Sequence, residues 1–452
     1  MTTFKKIGTC MLCLLMVSFA RAQADKDLDF PSQVKQFYSV FPGEYAWLGN
    51  NQALQQFFNY LDSAAYLGLD AKDYQYNYIS RFRAGKISLT NRQDSLSADY
   101  HITDAAIHFF RDVMVGNRPP AIGYNGLNYS PDWSLVPSML SASLCIFHFE
   151  FLLQNCEPRS AEYLALKNQV IEHNKILNDT AYRKTVLGNQ KDNKQTIATY
   201  KDQLAGLNRA INTVRWLDDI RQANQHIIVV NVPSASLLVF SPQGVAIESK
   251  VIVGQRTHRT PTLCSKIEDV VMYPYWMVPK SIATKELLPH IKRNPAYLDA
   301  NGYQVVNDKG KVLNPYLINW NSLSTSYFPY TLRQSTGCDN SLGIVKLNFY
   351  NPFTVYLHDT PAKKLFEYSK RFYSHGCVRV EKAVELAKLA AKEKAGFIDS
   401  LVDKGCLPDQ EPIVIPVQEK IPVFILYNTA WIDSTGKVSF YEDVYARFAV
   451  KK

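Results

Sequence analysis

The hydrophobic pattern of this chain changes period at His226, and that change limits the folds open to it. Before it, apolar residues recur every three to four positions, as on a helix face. After it they alternate, as on a strand buried on one side. In NNQALQQFFNYLDSAAYLGLD, Leu54, Phe57, Phe58, Leu61 and Ala65 form one stripe, closed by Gly68. In SADYHITDAAIHFFRDVMVGNRPP, Thr103 or Asp104 is placed to cap a helix with Ile107, Phe110 and Val113 or Met114 on its face. Gly116, Pro119 and Pro120 end that helix. Residues 157–212 are polar and helical in pattern, and RKTVLGNQKDNKQTIATYKDQ reads as a solvated helix or connector. Beyond His226, HIIVVNVPSASLLVFSPQGVAIESKVIVG alternates about SPQG, a hairpin signature, and short strands recur in DVVMYPYWMV, GIVKLNF and FTVYLHDT. Between Pro279 and Leu342 the chain is aromatic, polar and weakly regular. A segment of that length inside a β domain is usually functional, for example a lid. The C-terminal PVFILYNTAWIDSTGKVSFYEDVYARF reads as strand, turn, strand, with Ser434 to Lys437 at the turn.

The expectation is therefore an α+β protein. A helical scaffold and connector occupy 23–215, and a mostly β domain occupies 224–419, with the lid at about 280–342. A C-terminal β hairpin segment follows at 420–452. Residues 1–22 have the pattern of a secretory signal peptide: Lys5 and Lys6, an apolar run from Ile7 to Ala20, and a cut after Ala22. That run is shorter than the ~20 residues a membrane span needs. The expected product is exported to the periplasm or cell envelope and is peripheral to a membrane at most. Without Lys5, Lys6 and Arg21 the formal charge drops from +9 to +6. This suits an anionic polymer, but no dense Lys/Arg run points to nucleic acid. Six cysteines follow the leader: Cys145, Cys156, Cys264, Cys338, Cys377 and Cys406. None has the paired spacing of a zinc site. On one continuous helix through SLCIFHFEFLLQNC, Cys145 and Cys156 stand about 16 Å apart, so both read as buried free thiols.

The chemistry centres on YLHDTPAKKLFEYSKRFYSHGCVRV. A thiol is a good nucleophile only as thiolate, and a neighbouring imidazole can take its proton. Cys377 has two candidate bases. His358 ends an apolar strand, and His375 lies two residues away, facing the same side if the segment is extended. Asp359 or a nearby carbonyl is placed to orient His358. The amides of Gly376 and Cys377 are candidate oxyanion donors, and Arg379 is a fixed cation for a substrate carboxylate or for bracing the loop. The competing reading is a buried cysteine beside a structural histidine.

Ser374-His375-Gly376-Cys377-Val378-Arg379, sixteen positions after His358, resembles the signature of the L,D-transpeptidase (YkuD) catalytic domain. Supporting stretches are NVPSASLLVF, VIVGQRTHRTPT, YPYWMVPKSIATKELLP, RQSTGCDNSLGIVKLNFYN and VYLHDTP, which look like the large subgroup with a helical scaffold. The resemblance implies that Cys377 is the nucleophile and His358 the general base. His375, Gly376 and Asp359 shape or support the oxyanion region, while Tyr356, Arg379 and Ser374 contact substrate. It implies two-step acyl transfer on peptidoglycan stem peptides, 3-3 cross-links, carbapenem sensitivity, other cell-wall synthases as partners, and no metal or organic cofactor. Water as acceptor, giving an L,D-carboxypeptidase, and a non-catalytic wall-binding scaffold are the alternatives. The chain departs from the subgroup twice. The interval from Leu177 to Trp216 is too short for a peptidoglycan-binding module, and Cys338 replaces a turn residue, open to pairing with Cys264 or Cys377. Tyr275 and Trp276 are candidates to line the groove, whereas Tyr303 and Tyr316 read as packing residues.

Overall fold

The computed structural model describes residues 27–146, 149–188, 194–405 and 410–448, so the expected signal peptide lies outside the described residues. The chain divides into two compact units. One comprises residues 1–120, 130–223 and 429–440; the other comprises 121–129, 224–428 and 441–452.

The first unit is helical. Its principal helices are α1 (Pro31–Val40), α2 (Asn51–Asp62), α3 (Arg92–Val115), α4 (Ala161–Asn178) and α5 (Lys194–Ala223). The predicted stripe of α2 is real: Phe57, Phe58 and Leu61 are buried with Phe109 and Phe110 of α3. The expected cap at Thr103 or Asp104 is not. Asn91 caps α3, and Thr103 and Asp104 lie inside it. Their polar atoms bind other segments instead. Asp104 accepts from the backbone of Asp29 and Phe30, and Thr103 accepts from the Trp47 indole. Asp99, one turn earlier, accepts from the backbone of Ala46, Trp47 and Leu48. These buried side chains satisfy loop N–H groups that water cannot reach. The single helix expected across Cys145 and Cys156 is instead two helices, Val136–Cys145 and Leu152–Cys156, with a 3-10 turn at Phe149–Phe151 that buries Phe149 and leaves Phe151 exposed. Both thiols are free, Cys156 buried and Cys145 exposed.

The second unit is built on one large sheet. Its strands are β1 (Tyr124–Asn125), β2 (Ile227–Asn231), β3 (Ser236–Ser241), β4 (Gly244–Gly254) and β5 (Leu263–Met272). An insertion follows with β6 (Trp276–Met277), β7 (Tyr303–Val306), β8 (Val312–Leu313) and β9 (Thr331–Gln334). The sheet resumes with β10 (Val345–Phe349), β11 (Leu357–His358), β12 (Phe372–Ser374), β13 (Val378–Val380), β14 (Ile413–Pro416) and β15 (Pro422–Leu426). The order β5-β10-β11-β13-β4-β3-β2-β15 returns to β5, because β15 also pairs with β5. Closure leaves these eight strands without a free edge. Their inward residues, with Ala383, Leu386, Ala387 and Ile398 of the following helices, form the core.

The weakly regular insertion has its own order. β6, β9, β7 and β8 form a four-stranded sheet over a core that includes Ile282, Leu287, Trp320, Leu323 and Leu332. Two- to four-residue strands carry too little alternation to be read from sequence. Tyr303 packs against this core, whereas Tyr316 is exposed and donates to Asp299. The segment read as the C-terminal hairpin splits. β15 belongs to the closed sheet, while β16 (Ala430–Ile432) and β17 (Val438–Phe440) form a hairpin in the helical unit. In that unit Arg209 of α5 donates to Thr429, and Phe440 meets His173 of α4.

Candidate active site

Alternation on three adjacent strands assembles the site. Leu347, Leu357 and Val378 all point into the core. Their neighbours therefore share the opposite face: Lys346 on β10, Tyr356 and His358 at β11, and Cys377 and Arg379 at β13. The register pairs Lys346 with His358, and His358 with Arg379. Leu357 pairs with Val378, and the Val378 N–H donates to the Tyr356 carbonyl at 3.1 Å, so Tyr356 stands beside Cys377. A row of cation, imidazole and cation crosses the sheet next to the cysteine.

His358 is buried, and its Nδ1 lies 2.6 Å from the Asp359 carbonyl oxygen. That contact makes Nδ1 the N–H nitrogen and leaves Nε2 as the basic one. Of the two orienting groups proposed from sequence, the carbonyl performs the task. The Asp359 carboxylate instead takes the Lys363 ammonium and the Ile344 N–H. Burial, then the charges of Arg379 and Lys346, lower the His358 pKa to about 3, against the pull of the Asp359 and Leu342 carbonyls. The ring is thus neutral at ordinary pH.

Cys377 is half-buried, and its Sγ donates weakly to the Thr354 carbonyl at 3.9 Å. Among the described residues neither imidazole is hydrogen-bonded to it. Burial pushes the thiol up. The backbone N–H and phenol of Tyr356, and then Lys346 and Arg379, oppose that rise. The resting pair is therefore neutral thiol and neutral imidazole, rather than a preformed ion pair. Tyr356 is held well above the ordinary phenol range by burial and by the neighbouring sulfur, a rise that nearby Trp276 opposes. Trp276 thus reaches the site as the sequence suggested, whereas Tyr275 carries Arg333 over its ring at 4.1 Å.

The Ser-His-Gly-Cys turn is braced from within and from behind. Ser374 Oγ donates to the Cys377 carbonyl at 2.5 Å and accepts from the Gly376 N–H at 3.1 Å. Two expectations change here. Ser374 is occupied inside the turn and has no free hydroxyl for substrate, and the Gly376 amide is spent, so it is no oxyanion donor. The Cys377 N–H has no partner among the described residues and keeps that role open. Gly376 adopts φ +117°, a conformation a side chain strains against. Its carbonyl accepts from Thr260 Oγ1 at 2.9 Å. Thr260 Oγ1 accepts from the Gly254 N–H, and Tyr445 Oη bridges the Thr260 N–H and the Gly254 carbonyl. Residues 258–260 come so close to Gly254 that a Cβ there would lie 2.1 Å from the His258 carbonyl oxygen. His375 lies apart from the base: it meets Glu286 of the insertion at 3.1 Å and the His258 ring at 4.8 Å. Arg379 is half-buried and forms no ion pair among the described residues.

Sequence reasoning missed Lys346, Thr260 and Tyr445. The first had a signal, a cation at the outward position of VKLNF. The other two are joined to the turn only by tertiary contacts. Cys338 is disulfide-bonded, but not to Cys264 or Cys377, which are free thiols. Among the described residues no helix is long and apolar enough to cross a membrane.

Residues 225–415 match the model of the L,D-transpeptidase catalytic domain (YkuD), and residues 32–170 match that of a scaffold domain. A Haemophilus influenzae protein named "Putative L,D-transpeptidase" is 38% identical over 218 residues, 48% of this chain and 44% of that relative. The match thus spans less than half of the relative's length. A solved L,D-transpeptidase from Mycobacterium smegmatis is similar over 44% of this chain and 58% of its own, at 11% identity and a TM-score of 0.21, too distant to carry an argument.

Proposed function

Residues 225–415 are an L,D-transpeptidase catalytic domain of the YkuD type, preceded by a scaffold domain, and from this premise we propose that the chain forms 3-3 cross-links in peptidoglycan through a thioester on Cys377. The observation that carries the reading is the shared sheet face that sets Cys377, Tyr356 and the oriented His358 side by side. His358 Nε2 takes the thiol proton as sulfur attacks the carbonyl of the L,D peptide bond before the terminal D-residue of a stem. The charge developing on that carbonyl oxygen faces the Cys377 N–H. The C–N bond breaks, and His358 returns the proton to the leaving amine. The side-chain amine of a second stem then attacks the thioester and gives up a proton to the same nitrogen. Cys377 leaves as the thiol, and the new amide is the cross-link.

Arg379, a cation beside Cys377 without an ion pair among the described residues, suits a stem carboxylate. The insertion, with Glu286 reaching His375, suits a cover that excludes water from the acyl-enzyme. This favours an amine acceptor over hydrolysis. The reaction implies an exported protein acting on the cell wall, with cell-wall synthases as plausible neighbours. Two measurements test the reading. Intact mass after carbapenem exposure should show one adduct, mapped to Cys377; a label elsewhere sinks it. Incubation with a disaccharide tetrapeptide should give cross-linked dimer, whereas free tripeptide alone would establish the carboxypeptidase instead.

A further inference from the structure

We propose that Lys346 is a positioning residue for the sulfur anion, its ammonium seated on the Tyr356 ring so that it holds the ring against Cys377 and adds positive charge there. The inference rests on Cys377 being the nucleophile. Lys346 Nζ lies 4.2 Å from the centroid of the Tyr356 ring. Lys346 is also the register partner of His358. It is half-buried on a strand whose flanking residues Val345 and Leu347 are fully buried. Among the described residues it forms no ion pair. Desolvating a lysine without an acidic partner is costly, and such cations gather where an anion is to be handled.

The groups facing this amine are few. Asp269 of β5 attracts it, but the Asp269 carboxylate accepts from Asn348 at 2.7 Å. His358 is neutral, and Arg379, on the far side of His358, is another cation. The remaining partner is Cys377, and the attraction is mutual: a charge on the sulfur favours protonated Lys346, and Lys346 opposes the upward push of burial on the thiol. Tyr356 neighbours both. A cation over a π face also polarises the phenol O–H, which favours an anion on the neighbouring sulfur. The same charge disfavours imidazolium at His358, so Lys346 keeps the base free while making the anion accessible. Substrate and acceptor are untouched by this role.

The test is the rate of Cys377 alkylation by iodoacetamide against pH, read by peptide mapping, in wild type, K346M, K346Q and K346R. This chemistry needs no peptidoglycan. Loss of the charge should raise the thiol pKa by about one unit, the low end of the effect of a neighbouring opposite charge. At pH 8 labelling of K346M should thus fall about tenfold, with thermal melting and near-UV circular dichroism kept. K346R should recover most of the rate. Labelling of K346M and K346Q at the wild-type rate overturns the proposal. So does failure of both to fold, which would make Lys346 a packing residue. If K346M slows alkylation while carbapenem leaves Cys377 unmodified in the wild type, the lysine's role stands and the transpeptidase reading falls.

Discussion

His358 shows how much one side chain's surroundings decide. In water an imidazole is half-protonated near pH 6.5. Here burial beside two cations lowers that value to about 3. Between those values the unfolded chain binds a proton that the folded chain does not, so acid weakens the fold in that window. The stability derived from the neutral ring is fully present above pH 6.5 and is lost as pH falls toward 3. H358Q removes the titration. Denaturant melts should show wild type losing about 3 kcal/mol more than H358Q between pH 7.5 and 4.5. Equal losses would mean that the ring titrates normally. Residue-scale reasoning from sequence proposed Cys377 as nucleophile, His358 as base, and Asp359 or a carbonyl as orienter, and the Asp359 carbonyl is the one that meets the ring. It assigned Ser374 and the Gly376 amide to substrate because nothing local reveals that the two bond to each other.

At the scale of elements, the turn that carries Cys377 is supported by three other segments of its own unit: the end of β4, the loop before β5 and the C-terminal tail. Thr260 is the joint, donating to Gly376 and accepting from Gly254. T260V keeps the shape and removes both bonds, leaving the buried Gly254 N–H unpaired, a cost of about 1–3 kcal/mol. The Gly376 carbonyl would then be free to swing, moving the Cys377 N–H beside it. Carbapenem acylation should slow about tenfold or more, since small displacements at a reacting centre are expensive. Alkylation by iodoacetamide, which requires no oxyanion site, should change much less. Equal slowing of both would assign Thr260 to stability alone. Strand existence was legible from alternation in VKLNF; in FTVYLH only Leu357 and His358 are strand, and register was not legible in either. A slip of one residue between β10 and β11 would turn Lys346 away from His358.

Over the whole molecule, the chain passes between its two units more than once. Residues 121–129 add β1 to the unit that otherwise begins at 224, and residues 429–440 leave that unit before Tyr445 returns to it. Trp431, 1% exposed, belongs to the helical unit's hairpin. A fragment starting at 224 and ending at 452 therefore carries a bared Trp431 and lacks β1. Compared with the full chain, it should bind a hydrophobic dye strongly and melt several degrees lower. A fragment ending at 428 loses Tyr445 and with it the brace behind Gly376. If the 224–452 fragment melts like the full chain without dye binding, the hairpin's burial contributes little.

The sequence by itself determined that a helical part precedes a β part, which face of the longer strands is apolar, and that a cysteine and a histidine lie nineteen positions apart. These are local properties, set by periodicity and side-chain chemistry within a few residues. Only the tertiary structure decided that Lys346 and Arg379 flank His358, that the Gly376 amide is already used, and that Tyr445 braces the Ser-His-Gly-Cys turn from almost seventy residues away. Register and long-range hydrogen bonds depend on how distant segments are packed together, and no stretch of sequence encodes that packing alone.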